Sequence, residues 1–314
     1  NFSLDSNTVD QKNKSNPRPM QEKPRHVHRI IHISDVHFHV LPVNPVHCFN
    51  KRLKGLLRKV FGLVHFQATT IGQRFPKVVR SLGADSVCIT GDFSLTAMDG
   101  EFLLAKHFVE TLAKHSSVYL LPGNHDVYTL KSLAQQTFYT HFPNDQLQQN
   151  KVSFHKITDH WWLILLDCSC LNGWFSANGV VHLAQISAIE TFLLSLSPEE
   201  NVIIANHYPL LSSQNPSHDL INNTHLQNVL KKYPKVRLYL HGHEHQAAVY
   251  NCADTSPSYI LNSGSISLPT NSRFHVIDLY PEKYQVHTMI LKNLLDFDAP
   301  LEIANEATWD CQKL

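Results

Sequence analysis

Six short apolar runs punctuate the chain: "RIIHIS" from residue 29, "SVCIT" from 86, "VYLLP" from 118, "WWLILLD" from 161, "NVIIAN" from 201 and "VRLYLHG" from 236. Runs of this length, rich in Val, Ile, Leu and aromatics, predict buried strands. Helical periodicity appears between several of them, at 101 to 114, 182 to 196 and 219 to 232. Strands alternating with helices predict an α/β sheet protein. After Gly242 the spacing shortens to "AAVYN", "SYILNSG", "FHVIDLY" and "YQVHTMI", which predicts a second, largely antiparallel set of strands.

The polar, proline-bearing stretch 1–28 lacks periodicity and reads as a flexible tail. Residues 29–314 read as a single domain, with 38–75 as an insert that caps the fold or faces a membrane. No run of 18 apolar residues is present, and the start of the chain lacks the apolar core of a signal peptide. The six cysteines form no regular framework, which fits a reducing compartment. A formal net charge of +1 selects no partner. Histidine changes the picture: 22 of 314 residues, many beside Gly or Asp, direct attention to metal ligation and proton transfer.

The polar residues that follow the strand runs carry the candidate chemistry. "RIIHIS" ends in Asp35 and His37, whose spacing of two places both side chains on one face of an extended segment. This pair alone is also what an ordinary polar loop would give. The same kind of ending recurs, however: Asp92 after "SVCIT", Asn124, His125 and Asp126 after "VYLLP", His207 after "NVIIA", and His243 and His245 after "VRLYL". Five strand ends delivering oxygen and imidazole donors to the carboxyl edge of one sheet system point to a metal site.

In this order, D-x-H, G-D, G-N-H-D, a lone His and G-H-x-H resemble the calcineurin-like metallophosphoesterase superfamily over roughly residues 29 to 290. The resemblance implies a four-layer α/β/β/α sandwich and a dinuclear metal centre, and the mixed oxygen and imidazole donors suit Mn²⁺ first and Fe or Zn²⁺ next. Carried over by motif, Asp35, His37, Asp92 and His245 hold one ion, and Asp92, Asn124, His207 and His243 the other. His125 is then the non-ligating histidine beside the scissile phosphorus. Two such cations outweigh two carboxylates, so the centre favours an anionic phosphate ester.

"GDFSLT" and "GNHD" separate the chain from serine/threonine protein phosphatases, which have G-D-x-x-D-R-G and G-N-H-E. From Val36 to Ala84 there is no acid, yet Lys and Arg recur. Within this span, 49–64 predicts a basic amphipathic helix. Phe49, Leu53, Leu57 and Phe61 lie on its apolar arc, and Arg58 and Lys59 on the other. These are expected contacts to an anionic membrane surface or a lipid-tailed substrate. The aromatics stand apart from the charges, which argues against nucleic acid. The layout is most like the chlamydial-type UDP-2,3-diacylglucosamine pyrophosphatases of lipid A synthesis. That likeness implies release of UMP and the diacylated sugar 1-phosphate, in the cytoplasm at the inner membrane. A cyclic-nucleotide or other small-diester phosphodiesterase is the alternative, and a non-catalytic scaffold the remote one.

Overall fold

The computed structural model describes residues 14–15, 23–24, 26–40, 66–212, 215–252, 255–296, 299 and 301–312. The expected helix 49–64, with Phe49, Leu53, Leu57, Arg58, Lys59 and Phe61, lies outside the described residues.

In chain order the elements begin with β1 (Lys14–Ser15), β2 (His28–Ile33), α1 (Ala68–Ser81), β3 (Ser86–Ile89), α2 (Asp99–Ala113) and β4 (Ser117–Leu120). Three short helices follow, α3 (Leu130–Ala134), α4 (Thr137–His141) and α5 (Asp145–Asn150), and then β5 (Val152–Thr158), β6 (Trp161–Leu166) and β7 (Gly179–Val180). Next come α6 (Leu183–Ser195), β8 (Asn201–Ala205), β9 (Leu220–Ile221), α7 (Asn223–Leu230) and β10 (Val236–His241). The chain closes with β11 (Ala248–Asn251), β12 (Tyr259–Asn262), β13 (Arg273–Leu279), β14 (Lys283–Lys292) and β15 (Glu302–Gln312).

Two sheets dominate. The first has the order β1-β15-β14-β13-β2-β3-β4 and the second β11-β12-β10-β8-β6-β5, with β7 and β9 as a separate pair. The period of two in the central strands explains why the sheets stack. Along β8, Ile203 and Ala205 point into the core shared with the first sheet, whereas Val202 and Ile204 pack with Ile186, Ile189 and Leu226 of α6 and α7. On the other side, Ile71 and Phe75 of α1 and Phe102 and Phe108 of α2 join the larger core. This is the four-layer α/β/β/α sandwich expected from the sequence.

The strands after Gly242 do not form a sheet of their own. β11 and β12 extend the second sheet, β12 pairing in parallel with β10. β13 instead pairs antiparallel with β2, through His275 opposite His32, and carries β14 and β15 into the first sheet. The alternation revealed strands but not their partners. Phe38 and the Ala68 to Phe75 part of α1, inside the span read as an insert, belong to the core. Within 1–28, Lys14 and Ser15 pair with β15, and Lys23 Nζ lies 2.6 Å from Asp85 Oδ1.

Candidate metal centre

The parallel strands β2, β3 and β4 of one sheet and β8 and β10 of the other end at the same edge. Their carboxyl-terminal loops bring Asp35, His37, Asp92, Asn124, His207, His243 and His245 together. Asp35, His37, Asp92 and His245 offer donor atoms that all lie within 4.8 Å of one another. His37 Nε2 is 3.0 Å from His245 Nε2, 3.6 Å from Asp35 Oδ1 and 3.8 Å from Asp92 Oδ2. A second cluster shares Asp92: His207 Nε2 lies 3.5 Å from Asp92 Oδ2, 3.1 Å from Asn124 Oδ1 and 3.1 Å from His243 Nδ1.

Cations between the donor atoms account for these contacts. His207 Nδ1 faces the Thr90 carbonyl at 2.7 Å and must donate to it, which leaves Nε2 as a lone pair aimed at the oxygen of Asn124. His37 Nδ1 faces the Ser94 carbonyl at 3.4 Å in the same sense, so its Nε2 lone pair points at His245. Acceptors facing acceptors repel unless a positive charge lies between them. Among the described residues, Asp35 Oδ1 is buried with no hydrogen bond of proper geometry, although His245 Nε2 is 3.1 Å away. The residues present fit a pair of divalent ions.

Electrostatics agree. Burial pushes the His37 pKa down to about 4, and burial likewise lowers His207 and, further, His243, so all three stay neutral and available as ligands. Burial, then the neighbouring Asp35 and Asp126 charges, raise Asp92 well above the usual carboxylate range. Burial would raise Asp35 too, but the adjacent His245 imidazole, ahead of its other neighbours, holds it well below that range. Two buried carboxylates this close ionise together only beside a cation.

His125 stands slightly apart. Its backbone N–H donates to Asp92 Oδ1 at 2.8 Å, its Nδ1 lies 2.6 Å from the Leu95 carbonyl, and its ring stacks on Tyr128 and meets His37 edge-on at 5.0 Å. The loop under it is pinned by Asp126, which accepts from the N–H groups of Phe93, Ser94 and Gly123 and from Ser94 Oγ. At Gly242 a methyl group would collide with Ser34 Oγ and Asp35 Oδ2, so only glycine lets the His243 N–H reach Asp35 Oδ2 at 3.0 Å.

Several neighbours carried no signal in the sequence. Phe66 covers His37 at 4.2 Å between ring centroids, and the His218 ring lies 5.3 Å from that of His243. Asn271 donates from Nδ2 to the His245 carbonyl at 2.6 Å. None of the three belongs to a recurrent motif.

Two clusters of oxygen and imidazole donors sharing one carboxylate, at the common edge of two facing sheets, define a metal-dependent hydrolase of the dinuclear kind. The chain belongs to the calcineurin-like phosphoesterase family, whose model matches residues 28–247. It is 28% identical over 213 residues to a 3',5'-cyclic-nucleotide phosphodiesterase of Nostoc sp., covering 63% of this chain and 73% of that protein. It is also 28% identical over 165 residues to the 3',5'-cyclic adenosine monophosphate phosphodiesterase CpdA of Escherichia coli, covering 52% of this chain and 54% of the relative's length. Among solved structures, a dimetal phosphatase from Danio rerio superposes with a TM-score of 0.61 at 13% identity, covering 91% of this chain and 99% of that one. At that identity the likeness shows the fold.

Proposed function

We propose that the protein hydrolyses a nucleotide-bearing phosphate, and specifically the pyrophosphate of UDP-2,3-diacylglucosamine, giving UMP and the diacylated sugar 1-phosphate. The observation that carries the acylated substrate is the loop between β6 and β7. There Trp174 is 54% and Phe175 88% exposed. The loop is moored to the centre: the Ala177 N–H donates to the Ser217 carbonyl at 2.8 Å, and the next residue, His218, lies against His243. An aromatic surface beside a cationic centre suits a substrate that is anionic at one point and apolar at another. The basic amphipathic pattern of residues 49–64 supports the same reading, with an anionic membrane surface in the cytoplasm as the working location. Nucleic acid has no place in it. A cyclic-nucleotide substrate is the second reading, supported by the names of the curated relatives.

Asp35, His37, Asp92 and His245 would hold one ion, and Asp92, Asn124, His207 and His243 the other. The mixed oxygen and imidazole set, without thiolate, suits Mn²⁺ first and Fe or Zn²⁺ next. Such a pair, when bound, polarises phosphoryl oxygens and lets water attack near neutral pH. His125 handles the leaving group. Burial and the neighbouring His37 hold its pKa well below the usual value, so the free protein carries a neutral ring with its proton on Nδ1, toward Leu95. An arriving phosphate anion favours the imidazolium, the Leu95 carbonyl keeps the Nδ1 proton, and Nε2–H is then available to the departing oxygen.

The test compares UDP-2,3-diacylglucosamine, cyclic AMP and a phosphomonoester on protein stripped by chelation and reloaded with Mn²⁺, with phosphorus-31 NMR of the products. UMP release from the acylated sugar, absent after stripping and restored by Mn²⁺, is expected. Turnover that survives exhaustive chelation defeats the metal reading. Cyclic AMP turnover without lipid activity selects the second substrate.

A further inference from the structure

A groove of about 600 Å³ opens beside His245, walled by the loop after β10 and by the segment leading into β13, with Glu244, Gln246, Thr270, Asn271 and Arg273 among its lining. Its chemistry differs from that of the Trp174 loop. Arg273 would make it a second anion site if its charge were available, but Nε and Nη2 lie 2.6 and 2.9 Å from the Glu306 carboxylate, and Nη1 donates to Asn271 Oδ1 at 2.6 Å. The guanidinium is therefore neutralised, and a second phosphate gains little there. Ala247 and Leu268 also line the groove, but an acyl chain would cover the Thr270 hydroxyl and the Gln246 amide without giving them partners. What remains is an uncharged group rich in donors and acceptors.

The groove is also tied to the reactive centre. Asn271, held on one side by Arg273, donates from Nδ2 to the His245 carbonyl at 2.6 Å. Glu244, between the two histidines of the last motif, accepts from Asn262 Nδ2 at 2.9 Å instead of facing the metal cluster. A group seated in the groove thus has a fixed position relative to His245.

We propose that this groove is the nucleoside subsite, in which base and ribose contact Gln246, Thr270, Asn271 and Glu244 while the attached phosphorus lies over the metal centre. The proposal rests on the reading above that the substrate bears a nucleotide, and both candidate substrates do. The groove and the Trp174 loop then lie beside different ligands, His245 and His243, so nucleoside and apolar group leave the phosphorus on different sides.

The experiment is calorimetric titration of Mn²⁺-loaded protein with UMP, AMP and inorganic phosphate, for the parent and for Thr270→Trp and Gln246→Ala. The parent should bind one of the nucleotides at least about tenfold more tightly than phosphate, as one or two added hydrogen bonds give. Thr270→Trp, which fills the groove, should abolish that gain, and Gln246→Ala should reduce it, with phosphate affinity retained as the sign of a folded centre. A parent that binds UMP and AMP no better than phosphate overturns the subsite, as does retention of the full gain in both variants. Nucleoside-dependent affinity in a protein that cleaves neither the pyrophosphate nor the cyclic diester upholds the groove and removes the reaction proposed above. Cleavage of either one without nucleoside-dependent affinity removes the groove alone.

Discussion

Five of the donor residues, Asp35, His37, Asp92, His243 and His245, hold positive φ between 55° and 74°. For residues with a Cβ, the left-handed region costs roughly 1–2 kcal/mol each. The surrounding backbone enforces it: the N–H of Asp35 donates to the Gly91 carbonyl at 3.1 Å and that of His37 to the Asp92 carbonyl at 3.0 Å. The sequence marked these residues by type and by their place after strand ends; the extended segment inferred for Asp35 and His37 is overturned by their left-handed backbone past Ile33, and the carbonyls of Thr90, Ser94 and Leu95 were hidden in it. A backbone carbonyl has no letter of its own. Asp92→Asn isolates the charge, because Asn tolerates the left-handed region. In the absence of metal this variant should be at least as stable as the parent, having lost a buried carboxylate. It should also lose most of the thermal stabilisation by Mn²⁺, which in the parent reaches about 2.7 kcal/mol at a hundredfold excess over Kd. His125→Ala should keep that stabilisation and lose about 10² in kcat. Equal loss of Mn²⁺ stabilisation in both variants would make His125 a ligand.

The loop 93–98 between β3 and α2 is held by two buried carboxylates, Asp126 beneath it and Glu101 from the first turn of α2. Glu101 accepts from the Thr96 N–H at 2.8 Å, the Thr96 hydroxyl at 3.0 Å and the Met98 N–H at 3.2 Å. These bonds fix the loop that carries the Leu95 carbonyl under His125. Burial outweighs them and pushes the Glu101 pKa from 4.5 to about 7. The folded protein therefore binds this proton more tightly than the unfolded chain, and stability declines as pH rises from about 4.5 to 7, by up to about 3 kcal/mol. Glu101→Gln removes the titration. The melting temperature of the variant minus that of the parent should climb across this window and level off above it, and a flat difference would show that Glu101 keeps its ordinary pKa. Element type was legible wherever the period was clean, as in β6, β8, β10 and α6. It failed at α1, where Thr69, Thr70 and Pro76 obscure the helical pattern, and at β9, which takes the start of the expected helix 219–232.

At the scale of the whole molecule, sequence order and spatial order diverge. The α/β/β/α layering follows from periodicities that any long segment displays locally. The distribution of the last strands between two sheets does not, because pairing depends on which edge a distant strand leaves open. Arg29 illustrates the distance involved: its Nε and Nη2 both lie 2.7 Å from the carboxylate of Asp278, a buried pair joining residues 249 positions apart. The groove beside His245 is assembled from two segments, 244–247 and 268–273, that flank β11 and β12, and no local motif announces it.

The insertion of β2 between β3 and β13 has a consequence for the order in which the protein can be made. The first candidate metal-binding motif leaves the ribosome early, yet one flank of its strand stays bare until residue 279 has emerged. During that interval an apolar strand with unpaired N–H and C=O groups can be captured by another nascent chain. A polypeptide ending at residue 247, where the family match ends, would keep every candidate metal ligand and still leave this edge open. Such a fragment should be found mainly in aggregates, and co-expression of 248–314 as a separate chain should return part of it to the supernatant. A monomeric, Mn²⁺-binding 28–247 fragment would show instead that the first sheet closes without β13.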